Sequence, residues 1–167
     1  MKKKKLWKRS RTVRDNLRKS LPKMAAEYFD AGRLALAPGK TWEEMHQFRL
    51  ATKRFRYMLE IFRPAYGPAL DLRIESLRHV QTLLGDVNDC IVTSAMVETL
   101  PTAGDLKDKL AVRAAEKTQK LRTYWTTRFD AQGHREQWTR YLLGWACRTA
   151  PARRPRTVPA PAVSASE

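Results

Sequence analysis

Four residues in the stretch HQFRLATKRFRYMLEIF, namely His46, Arg49, Lys53 and Arg56, recur at steps of three, four and three. At 3.6 residues per helical turn they fall within roughly 80° of one another, forming a rail of cationic donors. Phe48, Ala51, Phe55, Met58, Leu59 and Phe62 take the opposite side, so the spacing predicts a helix that buries an aromatic stripe and turns the rail outward. Like charges at this spacing repel unless an anion fills the rail. Arginine meets phosphate oxygens bidentately and lysine acts as a mobile point charge. The chemistry they suggest is capture of a polyanion, which would also recruit His46 as a donor. The competing account is a solvated basic face.

Composition points the same way. The chain has 167 residues, 43% of them hydrophobic, which suits one domain with its own core. Lysine and arginine number 33 against 17 acidic residues, a formal charge of +16 at pH 7. Such a surplus favours nucleic acid, anionic lipid or another polyphosphate, and does not choose among them. Cys90 and Cys147 lie far apart without metal or redox spacing and read as reduced thiols of a cytoplasmic protein. The start MKKKKLW lacks the apolar run of a signal peptide, and no stretch approaches a membrane span, so no membrane insertion is expected.

The elements that must hold the rail are helical throughout, and the expected fold is an all-α antiparallel bundle of five to six helices. A first helix is predicted from Ser10 to Leu36, kinked or split at Pro22. Pro38-Gly39 ends it, and Thr41 with Glu44 makes a capping box for the rail helix. Pro64 and Gly67-Pro68 close that helix. A third is predicted over Ala69–Leu84, with Gly85 just past its end and Asp86 capping a fourth that reaches Leu100. After a turn from Pro101 to Gly104, a fifth spans Asp105–Phe129, and Gly133 separates it from a sixth through Trp145. Residues 1–9 read as a basic arm, 10–148 as the helical domain and 149–167 as a disordered tail rich in Pro, Ala and Arg.

The first helix repeats the rail's pattern. Arg11, Arg14, Arg18 and Lys19 stand opposite an apolar stripe, and with the second helix they would line one groove. Arg73 and Arg78 are weaker contributors, and the stripe Lys109, Arg113, Lys117 and Lys120 reads as a hydrated face paired locally with Asp108 and Glu116. Asp86 and Asp89 read as helix-start carboxylates rather than metal ligands. Asp89 is expected to pair with a groove arginine, Asn88 to support the turn and Tyr57 to flank the groove. No Gly-rich phosphate loop, metal-spaced His/Cys set or nucleophile elbow occurs, and Glu60 and Glu98 lack acidic neighbours for Mg²⁺. The expectation is binding without catalysis, metal or cofactor.

MHQFRLATKRFRYMLEIF followed by LRHVQTLLGDVNDC resembles the CHAD domain, the conserved histidine α-helical domain. Its hallmark is a helix reading His-x-x-Arg-x-x-x-Lys/Arg-Lys/Arg-x-Arg-Tyr, then Leu-Gly-x-x-x-Asp. The likeness is densest from His46 to Asp89. It implies a helical fold whose basic channel binds inorganic polyphosphate, commonly on polyphosphate granules, with His46, Arg49, Lys53, Arg54 and Arg56 facing the ligand. Family members usually carry two pseudo-symmetric bundles, each with its basic helix, whereas this chain has one His-led motif. A homodimer would restore the missing half. Two other functions compete: nonspecific nucleic-acid binding, and a regulatory or accessory subunit of a triphosphate-metabolising enzyme. Neither a recognition helix nor an aromatic base platform supports the first.

Overall fold

The computed structural model describes residues 9–98 and 104–145, and the expectations for the basic arm up to residue 8, the turn at 101–103 and the tail at 149–167 lie outside them. Six helices make up the described residues, with no strand: α1 (Val13–Ala35), α2 (Trp42–Ile61), α3 (Arg63–Tyr66), α4 (Ala69–Val97), α5 (Gly104–Tyr124) and α6 (His134–Trp145). The bundle is all-α, as its periodicity requires. Among the described residues no helix is long and apolar enough to cross a membrane.

Local chemistry sets the helix ends. Thr12 caps α1, its hydroxyl oxygen accepting from the Asp15 N–H at 3.1 Å. α1 runs unbroken through Pro22. Pro22 offers no N–H to the Arg18 carbonyl, and Arg18 is an exposed residue. The capping box of α2 is present, with Glu44 N–H donating to Thr41 and Thr41 N–H to the Glu44 carboxylate at 3.0 Å. Pro64 opens the single-turn α3, and Gly67 with φ 72° turns the chain into α4.

α4 corrects the expected break at Gly85. One helix of 29 residues runs from Ala69 to Val97, and Gly85 does not adopt a positive φ. Leu84 and Val87 are both wholly buried and carry the apolar stripe across that point. Their burial outweighs the roughly 1 kcal/mol that a glycine costs inside a helix. Asp86 is therefore mid-helix rather than a cap, and Asn88 supports no turn.

α5 buries little before Leu121 and then widens into a π turn, Trp125–Phe129, closed by the Asp130 N–H on the Trp125 carbonyl at 2.7 Å. The turn brings Trp125 and Phe129 face to face at 4.8 Å, both in the core. Gly133, with φ 80°, separates it from α6.

The core is aromatic. Tyr28 of α1 stacks on Phe48 of α2 at 5.2 Å and meets Phe55 at 5.0 Å. Trp125 stands edge-on to Phe48 at 5.3 Å, and Trp138 of α6 lies 5.7 Å from Phe29. Inside this cluster Thr52 donates to the Phe48 carbonyl at 2.9 Å, so its oxygen accepts from the Tyr28 hydroxyl at 3.1 Å. Burial pushes the Tyr28 phenol well above its ordinary range and keeps it a donor. α6 is tied down from both sides: Tyr66 donates to the Leu142 carbonyl and Tyr141 to the Tyr66 carbonyl, each at 3.1 Å. Arg73 stacks over the Tyr141 ring at 3.6 Å, which removes it from any groove.

Gly32 is the tightest point. A methyl group there would fall inside the van der Waals envelope of the Trp125 ring and 2.9 Å from Phe48. Gly32→Ala is expected to destabilise the fold by about 1–3 kcal/mol, despite alanine's better helix propensity. A lowered urea midpoint with an unchanged m-value is the expected reading.

Candidate polyanion-binding site

α2 buries Met45, Phe48, Thr52, Phe55 and Leu59. Each rail residue directly follows one of the first four, so His46, Arg49, Lys53 and Arg56 lie about 100° around from the core line. The expected opposition of stripe and rail is thereby corrected to a flank. Thr52, drawn inward by Tyr28, rotates the buried face toward the rail. All four rail residues are consequently half-buried, whereas Arg54 and Tyr57 point outward and are exposed.

The flank faces α4. Arg56 donates from Nε to Gln81 at 2.9 Å and from a terminal nitrogen to Glu60 at 2.5 Å, and its guanidinium lies 4.4 Å from the Tyr57 ring. Its side chain is only 13% exposed. Arg78 of α4 reaches the same Glu60 oxygen at 3.0 Å and Glu75 at 3.2 Å. Arg56 is thus a clamp between helices rather than an open donor.

The other end of the rail differs. Among the described residues His46, Arg49, Lys53 and Arg54 enter no ion pair. The Arg49 Nε is shielded from solvent yet has no hydrogen-bond partner. His46 stands edge-on to Trp42 at 5.8 Å. The contacts of Arg56 with Gln81 and of Glu60 with Arg78 fix an antiparallel register between α2 and α4. Continued along both helices, that register brings Lys53 level with Gly85 and Arg49 level with Asn88. No atom lies within 4 Å of where a Gly85 side chain would begin, so α4 leaves open space at this level.

Asp89 and the four α1 cations are placed elsewhere. Asp89 does not pair with a groove arginine: its carboxylate accepts from Asn88 at 3.3 Å. With Asp86, Cys90, Thr93, Leu110, Arg113 and Lys117 it lines a separate cavity of about 320 Å³ between α4 and α5. Without a helix start at Asp86 there is no turn to aim Asp89 back at α2. The α1 cations also stand apart from the rail. The Tyr28–Thr52 bond and the close approach of Gly32 to Phe48 set α1 antiparallel to α2, which puts Arg18 level with Phe62, past the rail's C-terminal end. Arg14 and Arg11 lie farther still, while Arg18 and Lys19 are exposed. The single groove expected from both helices is not formed.

On α5, Lys109 pairs with Asp105 at 2.6 Å and Lys117 with Asp86 at 2.7 Å, rather than with Asp108 or Glu116. Gln81 escaped the sequence reading because only tertiary packing brings it to Arg56, while Arg78, expected as a weak contributor to the groove, is held by Glu60 and Glu75. The Arg56–Glu60 spacing of four was the visible clue.

Residues 2–98, more than half of the chain and the whole of α1 to α4, match the CHAD domain. This chain belongs to the CHAD domain family. The rail, Gly85 and the Asn88-Asp89 pair all fall within the CHAD match, whereas α5 and α6 lie beyond it. CHAD domains are known in polyphosphate- and triphosphate-related proteins. Neither the curated proteins nor the solved structures supply a match.

Two kinds of rail cation imply two responses to truncation. Arg56→Ala leaves Gln81 without its donor and Glu60 with one fewer, and is expected to cost about 1–3 kcal/mol of stability. Lys53→Ala is expected to stay within about 0.5 kcal/mol of the parent. Thermal unfolding of both, side by side, checks the distinction.

Proposed function

We propose that this CHAD-family protein binds inorganic polyphosphate without catalysis, through the half-buried flank of α2 that carries His46, Arg49 and Lys53. The observation that carries this reading is the shielded, unpartnered Nε of Arg49 beside Lys53, a lysine with no ion pair among the described residues. A buried guanidinium nitrogen without an acceptor is costly, and a phosphate oxygen supplies one. The open space at Gly85 gives a chain room to lie along the groove. The formal charge of +16 supports the same reading by drawing polyanions toward the surface. Arg54 lies on the outer rim of this flank, and the α1 cations form a separate basic surface. Attachment to polyphosphate granules in the cytoplasm, and pairing of two copies to supply a second motif, belong to the same proposal.

Charge reversal of Arg49 and Lys53 together is expected to abolish binding of long-chain polyphosphate while far-ultraviolet circular dichroism stays unchanged. Retained binding in that double variant would sink the site. Wild-type affinity should fall steeply with salt, because phosphate contacts release counterions. Competition separates this function from nonspecific nucleic-acid binding. Duplex DNA at equal total phosphate should fail to displace labelled polyphosphate at moderate salt, and even competition would mean that only charge density is read.

A further inference from the structure

Where the C-terminal half of α2 faces the start of α4, the charge pattern reverses. A cleft of about 670 Å³ is lined by Glu60, Arg63, Asp71, Glu75 and Arg78, with Leu72 and Ile74. Three carboxylates there face two guanidiniums, and each guanidinium is already held. Arg63 sits on Asp71, and Arg78 bridges Glu75 and Glu60. Glu60 also holds Arg56, the last member of the rail. One carboxylate, 28% exposed, thus sits at the end of the basic track and engages two arginines that would otherwise extend it.

We propose that Glu60 is a built-in stop that ends the polyanion track after Lys53 and so fixes how many phosphates one protein molecule engages. This rests on the polyphosphate reading above and deepens it. The physics is local. A phosphate advancing past Lys53 meets Arg56 with its charge-assisted hydrogen bonds already made to Glu60. It also meets the Glu60 charge, at a distance where like charges repel strongly in a partly desolvated cleft. The track available to ligand is therefore His46 to Lys53, roughly 10 Å of helix axis.

The test is binding of size-fractionated polyphosphates to wild-type protein, Glu60→Gln and Glu27→Gln. Glutamine keeps an acceptor for Arg56 but removes the charge. Glu27→Gln makes the same charge change on α1, at an exposed carboxylate paired, among the described residues, only with Lys23 at 3.6 Å. Glu60→Gln is expected to bind long chains about three- to tenfold more tightly, with a log–log salt slope steeper by about 0.7 to 1.4 for one or two freed cations. Its affinity for oligomers too short to pass Lys53 should not change. Glu27→Gln should follow wild type. Unchanged long-chain binding in Glu60→Gln, or an equal gain in Glu27→Gln, overturns the proposal. Should Glu60→Gln fail to fold, wild type decides alone. Affinity per bound protein should plateau once the oligomer spans the track, and a continued rise would show that no stop exists. Folded wild-type protein that binds no polyphosphate at any length removes the underlying reading instead.

Discussion

The contact between Gly32 and the Trp125 ring sets the geometry of this bundle. Only a residue without a side chain lets α1 approach the π turn that follows α5 closely enough for Trp125 to reach Phe48. Tyr28, four residues earlier on α1, then stacks on the same Phe48 and bonds Thr52. The rotation of α2 about its own axis follows from these contacts. Each cation of the rail is the neighbour in sequence of a residue that the aromatic cluster holds, so the cluster decides how far His46, Arg49 and Lys53 are drawn out of water. The groove is shaped from the inside.

Its arginines fall into two populations. Arg33 chelates Asp130 at 2.6 and 2.8 Å, Arg122 donates to the Leu36 and Ala37 carbonyls at the end of α1, and Arg73 lies on Tyr141. These side chains join elements distant in sequence. Arg122 satisfies carbonyls that a helix end leaves open. Among the described residues the cations of α2 before Arg56 make no such contacts, and like charges at helical spacing there work against the fold. A protein of this charge therefore holds its elements together with some arginines and keeps others in reserve along one flank.

Much of this was legible in the sequence, and what was not has identifiable causes. Thr41 and Glu44 announced the start of α2, because a capping box is local and needs no partner. The helical class followed from periodicity, and the basic helix from the spacing of His46, Arg49, Lys53 and Arg56. Gly85 misled because glycine is as common after a helix as it is tolerated within one, and the choice lay with Leu84 and Val87 packing against other helices. Asp89 was aimed wrongly for the same reason. Arg56 looked identical to Arg49 by spacing, yet Gln81, 25 positions away, separates their roles. Thr52 sits in the core with its hydroxyl satisfied by the Phe48 carbonyl and by Tyr28, a partner 24 positions away. Propensities and caps are written locally; which flank meets which helix is decided by volume and by pairs far apart in the chain.

The reach of the family likeness and the reach of the folding unit do not coincide. Likeness stops at residue 98, but Trp125, Phe129, Trp138 and Leu142 fill the space over Tyr28, Phe29 and Phe48. A fragment cut where the resemblance ends would hold every residue of the rail and still strip Tyr28, Phe29, Phe48 and Phe55 of the tryptophan rings packed on them. An apolar patch of that kind, left open to water, is an aggregation liability. The usable boundary of this domain is the one drawn by its tryptophans.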